Sequence, residues 1–398
     1  MKKICLSVVG LYLNLMGAFA QMAPADSVYK SRKLKVEEVN LVSSYYHQDG
    51  NSSAVTGGIG SEKLSDIANV IDLKFVGYDH KSRKHSVIFE AGVDSYTSAS
   101  SDKIDLKANS SASSHDLRYY PSVSWNVENE KTGNTFGLTA SFSKEFDYTS
   151  IGFGASFNKK SKDNNRELGI KAQTYLDQVL LIYPIELRPA SQTGHEDEYA
   201  QTPRKTISAS LSYSQVITKN FQLMFLIDLV KQNGYLGLPF HRVYFTDGSV
   251  HVENLPGSRF KIPLGLRANY FFGDKIILRS FYRFYKDDWG VNSHTIDLET
   301  SVKLTAFFSI TPFYRFYNQT AVKYYAGYQA HTAADEFYTC NPDLSKFNSN
   351  FYGAGFRIAP PKGVFGMSRF NMLELRYGHY NRSNGLNSDI ISLNLKFK

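Results

Sequence analysis

The chain has 398 residues, with 45 Lys and Arg against 37 Asp and Glu, a formal charge of +8 and a mean hydropathy of −0.32. So small and evenly spread a charge argues against a nucleic-acid footprint, and no run approaches the roughly 18 continuous apolar residues of a spanning helix. The 28 Phe, 27 Tyr and 28 Gly suit strands and turns rather than helices.

The chain opens MKKICLSVVGLYLNLMGAFA. Two lysines, an apolar core of about a dozen residues and Ala18-Phe19-Ala20 match a cleavable secretory signal over residues 1–20. Its removal leaves 378 residues and a charge of +6, because the segment carries two lysines and no acid. Cys340 is then the sole cysteine, so no intramolecular disulfide forms. Cys5 precedes the apolar run and is not placed as a lipidated first residue would be. Residues 21–34 are expected to be a periplasmic lead-in to a single domain over 35–398.

From there the sequence alternates. The apolar register of successive strands falls on Val39, Leu41 and Tyr45, then on Ile71, Leu73 and Phe75, on Val87, Phe89 and Val93, and on Leu117, Tyr119, Val123 and Trp125. Further strands centre on Leu138, Phe153, Ile170, Leu211 and Phe225. The stretch RFKIPLGLRANYFFGDKIILRSFYRFY (259–285) supplies two more. In its first strand Phe260, Ile262, Leu264, Leu266 and Tyr270 share one face, and Arg259, Lys261 and Arg267 the other. Strands on Ile296, Ile310, Phe351 to Ile358, Leu375 and Leu393 complete the set. A period of two means that the two faces meet different surroundings.

Two patterns separate a barrel from a sandwich. Connections alternate in length: long ones such as His47 to Lys63, Asp177 to Arg204, Lys231 to Ser258 and Thr320 to Asn348 alternate with short ones such as DHKSRK, NEKTGN, TKN and GDK. A membrane barrel has this parity, whereas a sandwich has no reason to show it. The second pattern is charge confined to one register. Glu90, Asp94, Arg118, Glu128, Glu167, Lys171, Asp228, Arg267, Arg279, Arg283, Asp297, Glu299, Lys303, Arg315, Glu374 and Arg376 all oppose the apolar face. The reading is all-β: a transmembrane antiparallel up-and-down β-barrel of about 16 strands, in the range of roughly 14 to 16, with long outer loops and short periplasmic turns. The final strand ISLNLKFK, with penultimate Phe397, suits engagement by barrel-insertion machinery.

Few constellations carry chemistry. The acidic cluster Glu196, Asp197 and Glu198 in a long loop is a candidate for a divalent cation or a lipopolysaccharide bridge, set against a solvated charge run. Asp287-Asp288-Trp289 reads as a hairpin tip with an interfacial tryptophan. The Ser-rich loop from Asp94 to Asp102 lacks the spacing of a calcium loop, and Gly57-Gly58-Ile59-Gly60 lacks the context of a phosphate loop. No G-x-S-x-G, H-E-x-x-H or C-x-x-C occurs. No catalytic residue or metal site is assigned, although His85, His294 and His379 lie where a barrel-embedded hydrolase could use them. The lumen-lining charged candidates are Arg267, Arg279, Arg283, Asp297, Glu299, Lys303, Arg315, Glu374 and Arg376. A hairpin around Trp289 whose pairs sum near 580 sets Arg283 opposite Asp297, and a following turn whose pairs sum near 614 sets Glu299 opposite Arg315, giving cross-strand ion pairs.

The strings EVNLVSSYYHQDGNSSAVTGGIGSEKLSD, DQVLLIYPIELRP, LPFHRVYFTDGSVHVENLPGSRF, YRFYKDDWG and KFNSNFYGAGFR resemble an uncharacterised family, the domain of unknown function numbered 3570, from about residue 37 to the C-terminus. The resemblance implies a Bacteroidota outer-membrane barrel of unknown activity and transfers no catalytic residues. It also implies neighbourhood with thioredoxin-like and flavin-transferase proteins.

Two functions follow as expectations. One is a monomeric outer-membrane pore or channel for small solutes, its loops gating the mouth. The other is a non-conducting outer-membrane scaffold that binds a periplasmic or surface partner, such as one of an extracytoplasmic thioredoxin/flavin redox system. Both place the termini in the periplasm, contact outer-membrane lipid and lipopolysaccharide, and need no cofactor, since no haem, iron-sulfur or flavin ligand set is visible.

Overall fold

The computed structural model describes residues 31–97, 115–188 and 199–398. Nine long strands come first: β1 (Arg32–Asp49), β2 (Leu64–Tyr78), β3 (Lys84–Thr97), β4 (His115–Asn129), β5 (Asn134–Lys144), β6 (Tyr148–Lys160), β7 (Arg166–Leu180), β8 (Gln201–Thr218) and β9 (Phe221–Gly234). A loop hairpin, β10 (Arg242–Tyr244) and β11 (Val250–Val252), separates them from seven more. These are β12 (Ser258–Phe272), β13 (Ile276–Asp287), β14 (Asn292–Lys303), β15 (Phe308–Gln319), β16 (Phe347–Ile358), β17 (Phe370–Arg382) and β18 (Asn387–Phe397).

The sixteen long strands pair antiparallel with their chain neighbours, and β1 pairs with β18, so the sheet closes on itself. Closure removes both edges and satisfies every strand's backbone within the wall, as spanning a bilayer requires. At about 4.8 Å between strands and about 40° of tilt, sixteen strands make a ring roughly 30 Å across. β1 begins at Arg32, three residues before the expected start of the barrel at 35.

The side chains sort as the alternation demands. Phe153, Ile170, Phe225, Leu298 and Tyr377 stand exposed on the outer face, a position that is stable only against hydrocarbon. Connections also sort by end. One end carries short turns such as Asp79–Arg83 and Gly273–Lys275, together with β1's start and β18's finish, while the other carries the long loops.

At the loop end the connections pack on one another. Val55 meets Phe240; Val243, Phe245 and Cys340 form a second cluster; Trp289, Val291 and Val322 form a third. The Gly57-Gly58-Ile59-Gly60 stretch is a tight turn here: Gly57, Gly58 and Gly60 all have φ between 83° and 87°. A Cβ on Gly58 would stand 2.8 Å from the Cys340 carbonyl oxygen, so only glycine allows this approach. Trp289 is 2 % exposed rather than interfacial. Its Nε1 donates to the Ser258 carbonyl at 2.9 Å, and the Arg259 guanidinium lies 4.4 Å from its ring centre, which holds it within the loop layer.

Two expected registers are corrected. Arg283 faces Thr295, not Asp297, and Glu299 faces Phe313, not Arg315; the observed pairs are Arg279 with Glu299 and Asp297 with Arg315. Each turn is centred one residue earlier than the expected pairing requires. At β13–β14, Asp287 N–H donates to the Val291 carbonyl, and its carboxylate accepts Val291 N–H, closing the loop about Trp289. Gly290 supports this with φ +102°. At β14–β15, Leu304 and Thr305 N–H both reach the Phe308 carbonyl, centring the turn on Ala306.

Candidate functional site

Charge on the inward register is distributed unevenly around the ring. On β2–β4 it comprises the acids Asp66, Asp72, Glu90, Asp94, Asp116 and Glu128 against the bases Lys74, Lys84 and Arg118. On β12–β14 the numbers reverse: Arg259, Lys261, Arg267, Arg279, Arg283 and Lys303 against Asp287, Asp297 and Glu299. In the closed order β2 and β12 stand eight places apart, as do β3 and β13, and β4 and β14. In a ring of sixteen that is diametrically opposite, so an acidic wall faces a basic one.

The basic wall is laced together. Arg279 reaches Glu299 at 2.8 Å, and Glu299 also accepts from Arg376 on β17 at 2.9 Å. That second contact skips β15 and β16, which only the concave side of the closed sheet permits. Arg376 continues to Glu374 at 3.4 Å and lies 4.9 Å from the Phe313 ring centre. Arg315 pairs with Asp297 at 2.5 Å. Arg267 lies over Phe281, and Lys303 ends β14 at the turn end. Half-exposed as these pairs are, each contributes little in water, on the order of 0–1 kcal/mol. On the acidic wall, Asp72 is the direct cross-strand partner of Glu90, a juxtaposition of like charges that costs stability.

Two cavities lie at the loop end of the ring, the smaller of them on the basic wall. One of about 420 Å³ is lined by Tyr46, Arg315, Phe351, Tyr380 and Asp343. The other, about 310 Å³, is lined by Arg259, Arg283, Tyr285, Tyr317, Asp343 and Leu344 among others. Asp343 belongs to the β15–β16 loop, so that loop enters the ring between the two cavities. It is anchored by Arg382 on β17, 2.5 Å from the Asp343 carboxylate, and by Gln319, which donates to the Asp343 carbonyl at 2.9 Å.

Above them the loops are locked by buried charge. Arg242, 5 % exposed, forks onto both Glu186 oxygens at 2.5 and 2.9 Å and donates to the Val55 carbonyl at 2.8 Å, joining three loops. Glu253, 3 % exposed, accepts from Leu238 N–H and the Thr339 hydroxyl. Burial pushes the Cys340 thiol up to about 11, which keeps it protonated and unreactive.

The sequence missed Asp72, Asp343, Arg382 and the Arg242–Glu186 pair. Asp72 was within reach, since it alternates with Ile71 and Leu73. The loop pairs carry no such signal, because their members lie 39 and 56 residues apart. Glu196, Asp197 and Glu198 fall outside the described residues. Of the histidines, His85 accepts from Trp125 Nε1 at 3.3 Å and His379 pairs with Asp389 at 2.8 Å. His294 meets the Tyr282 hydroxyl at 2.8 Å. A serine–histidine contact does occur on the outer face, His47 to Ser65 at 2.8 Å. The carboxylate in His47's row, Asp389, serves His379 and Tyr377 instead, so the third member of a triad is lacking there.

No curated protein matches the chain. Solved structures with some likeness include OccK1 (OpdK) of Pseudomonas aeruginosa, 8% identical with a TM-score of 0.40 over 92% of this chain and 98% of that one. Others are a BenF-like porin from Pseudomonas fluorescens, 8% identical with a TM-score of 0.41 over 91% and 98%, and a bacterial polysaccharide outer membrane secretin, 10% identical with a TM-score of 0.43 over 90% and 98%. TM-scores of this size say nothing about what the chain binds or passes. The family evidence lies in the sequence itself: residues 94–366 match the model of the family described as Protein of unknown function (DUF3570), and the chain belongs to that family.

Proposed function

We propose that the protein is an outer-membrane channel for small hydrophilic solutes, with residues 1–20 removed as a secretory signal, its termini in the periplasm and its long loops at the cell surface. The observation that carries this is the closed ring of sixteen strands with its charge turned inward. Lining a ring this wide with arginines and carboxylates is favourable only if water fills it. The β15–β16 loop, reaching the wall at Asp343, sets the size of what enters. Insertion machinery acting on the terminal strand and lipopolysaccharide around the apolar wall are the partners this placement implies.

The interlocked loop layer favours a second reading, a non-conducting scaffold whose loop surface or turn end holds a protein partner. Planar-bilayer recording of the purified, folded chain separates the two. Stepwise open conductance of porin size supports the channel. A silent bilayer, with a heat-modifiable band proving insertion, would reject it in favour of the scaffold.

A further inference from the structure

The 310 Å³ cavity at the loop end of the basic wall has a charge balance that points to its occupant. Arg259 is paired with Asp287 at 2.5 Å, and Asp343 with Arg382 at 2.5 Å. Those four charges cancel. Arg283 lines the same cavity, stands exposed, and enters no hydrogen bond or ion pair among the described residues. Lys261, directly across from Asp287 on the inner face of β12, is a further base on the same wall. The cavity is therefore cationic, with a planar five-donor fork left free in it.

The rest of the lining is organic rather than ionic. Tyr285 and Tyr317 contribute ring faces, and Val291 and Leu344 contribute aliphatic surface. Tyr285's hydroxyl is already committed to Asp287 at 2.8 Å and Tyr317's to Gln319 at 2.6 Å. An inorganic ion would leave most of this volume and all of this apolar surface uncovered. A small carboxylic acid fills both, its carboxylate on Arg283 and its carbon skeleton against the tyrosines and Leu344.

We propose that this cavity is a binding site for a small organic carboxylate on its way through the lumen, with Arg283 as the specificity-determining residue. The inference deepens the channel reading and rests on it. A carboxylate held about 4 Å from one guanidinium in water gains about fivefold in occupancy, and more where the wall lowers the local dielectric. The site is thus a way-station, not a trap.

The test is equilibrium dialysis of the folded full chain in detergent against radiolabelled succinate, with succinamide and inorganic phosphate as competitors. One saturable site that phosphate and succinamide displace poorly is expected. Arg283→Gln should weaken it at least about fivefold, and Arg283→Lys should recover part of the loss. Succinamide competing as well as succinate, phosphate competing better, no saturable binding, or an unchanged Arg283→Gln variant would each overturn the proposal. Heat-modifiability of the variants confirms folding. Bilayer conductance is read separately, so binding without conductance sinks the channel and leaves the site, while conductance without binding does the reverse.

Discussion

The β2–β4 and β12–β14 walls are built alike on the outside and oppositely on the inside. Phe89 and Val93 on one, Leu298 and Tyr282 on the other, present the same apolar surface to lipid. Inside, one wall carries six acids and three bases and the other six bases and three acids. Folding into a bilayer constrains only the outer register, so nothing in stability demands that the inner charges be sorted by side. The basic wall braces its charges through Glu299 and Asp297, whereas the acidic wall sets Asp72 against Glu90. Sorting that stability does not require, and partly opposes, belongs to what the lumen does.

The comparison can be broken first from outside. Phe89→Arg and Leu298→Arg should each cost about 2–4 kcal/mol of folding stability in lipid, equally on both walls, as read by urea titration in liposomes. A wall that tolerates the change is not facing hydrocarbon. Next in size is selectivity. Neutralising the acidic wall with Asp72→Asn and Glu90→Gln should shift the reversal potential in a salt gradient toward anion preference, and Arg267→Gln with Arg279→Gln should shift it the other way, each by about fivefold in permeability ratio. Shifts of the same sign would mean that the walls do not act separately.

Smaller still is the bracing itself. Glu299→Gln removes the shared partner of Arg279 and Arg376 and should cost about 0.5–1 kcal/mol in the same titration. Its register has a sharper check: paired cysteines at 279 and 299 should crosslink readily, and a pair at 283 and 297 should not. The smallest effect expected is a pH dependence of the loop layer. Burial raises the Glu62 carboxyl above the ordinary carboxylate range, its Oε2 being enclosed without a hydrogen-bond partner among the described residues. A raised acid binds its proton more tightly when packed, so packing is penalised above the raised value and relieved as pH falls through it. Protease resistance of the β1–β2 loop should therefore increase as pH is lowered from neutral toward the ordinary carboxylate range, and Glu62→Gln should flatten that response.

The alternation of apolar residues was enough to place all sixteen barrel strands, because each outward side chain must meet lipid whatever its neighbours are. It could not set the register at β13–β14 and β14–β15. There a single residue decides where the turn closes, Asp287 in one and Thr305 in the other. A one-residue shift of a turn centre moves every cross-strand pair by two, which is why Arg283 meets Thr295 rather than Asp297 and is left without an ion pair among the described residues. The loop layer was legible only as long connections. Its Arg242–Glu186 and Asp343–Arg382 pairs join distant segments that no local pattern relates.

The account stands on one register facing lipid and the other enclosing water, and a cysteine scan along β13 tests it most directly. Single cysteines from 277 to 286 in the folded protein in liposomes would be probed with a membrane-impermeant maleimide and, separately, with a bilayer-dissolved quencher of an attached fluorophore. The account predicts strict alternation, with 279, 281 and 283 reacting from water and 278, 280 and 282 quenched from lipid. Uniform aqueous reactivity at all these positions would contradict it.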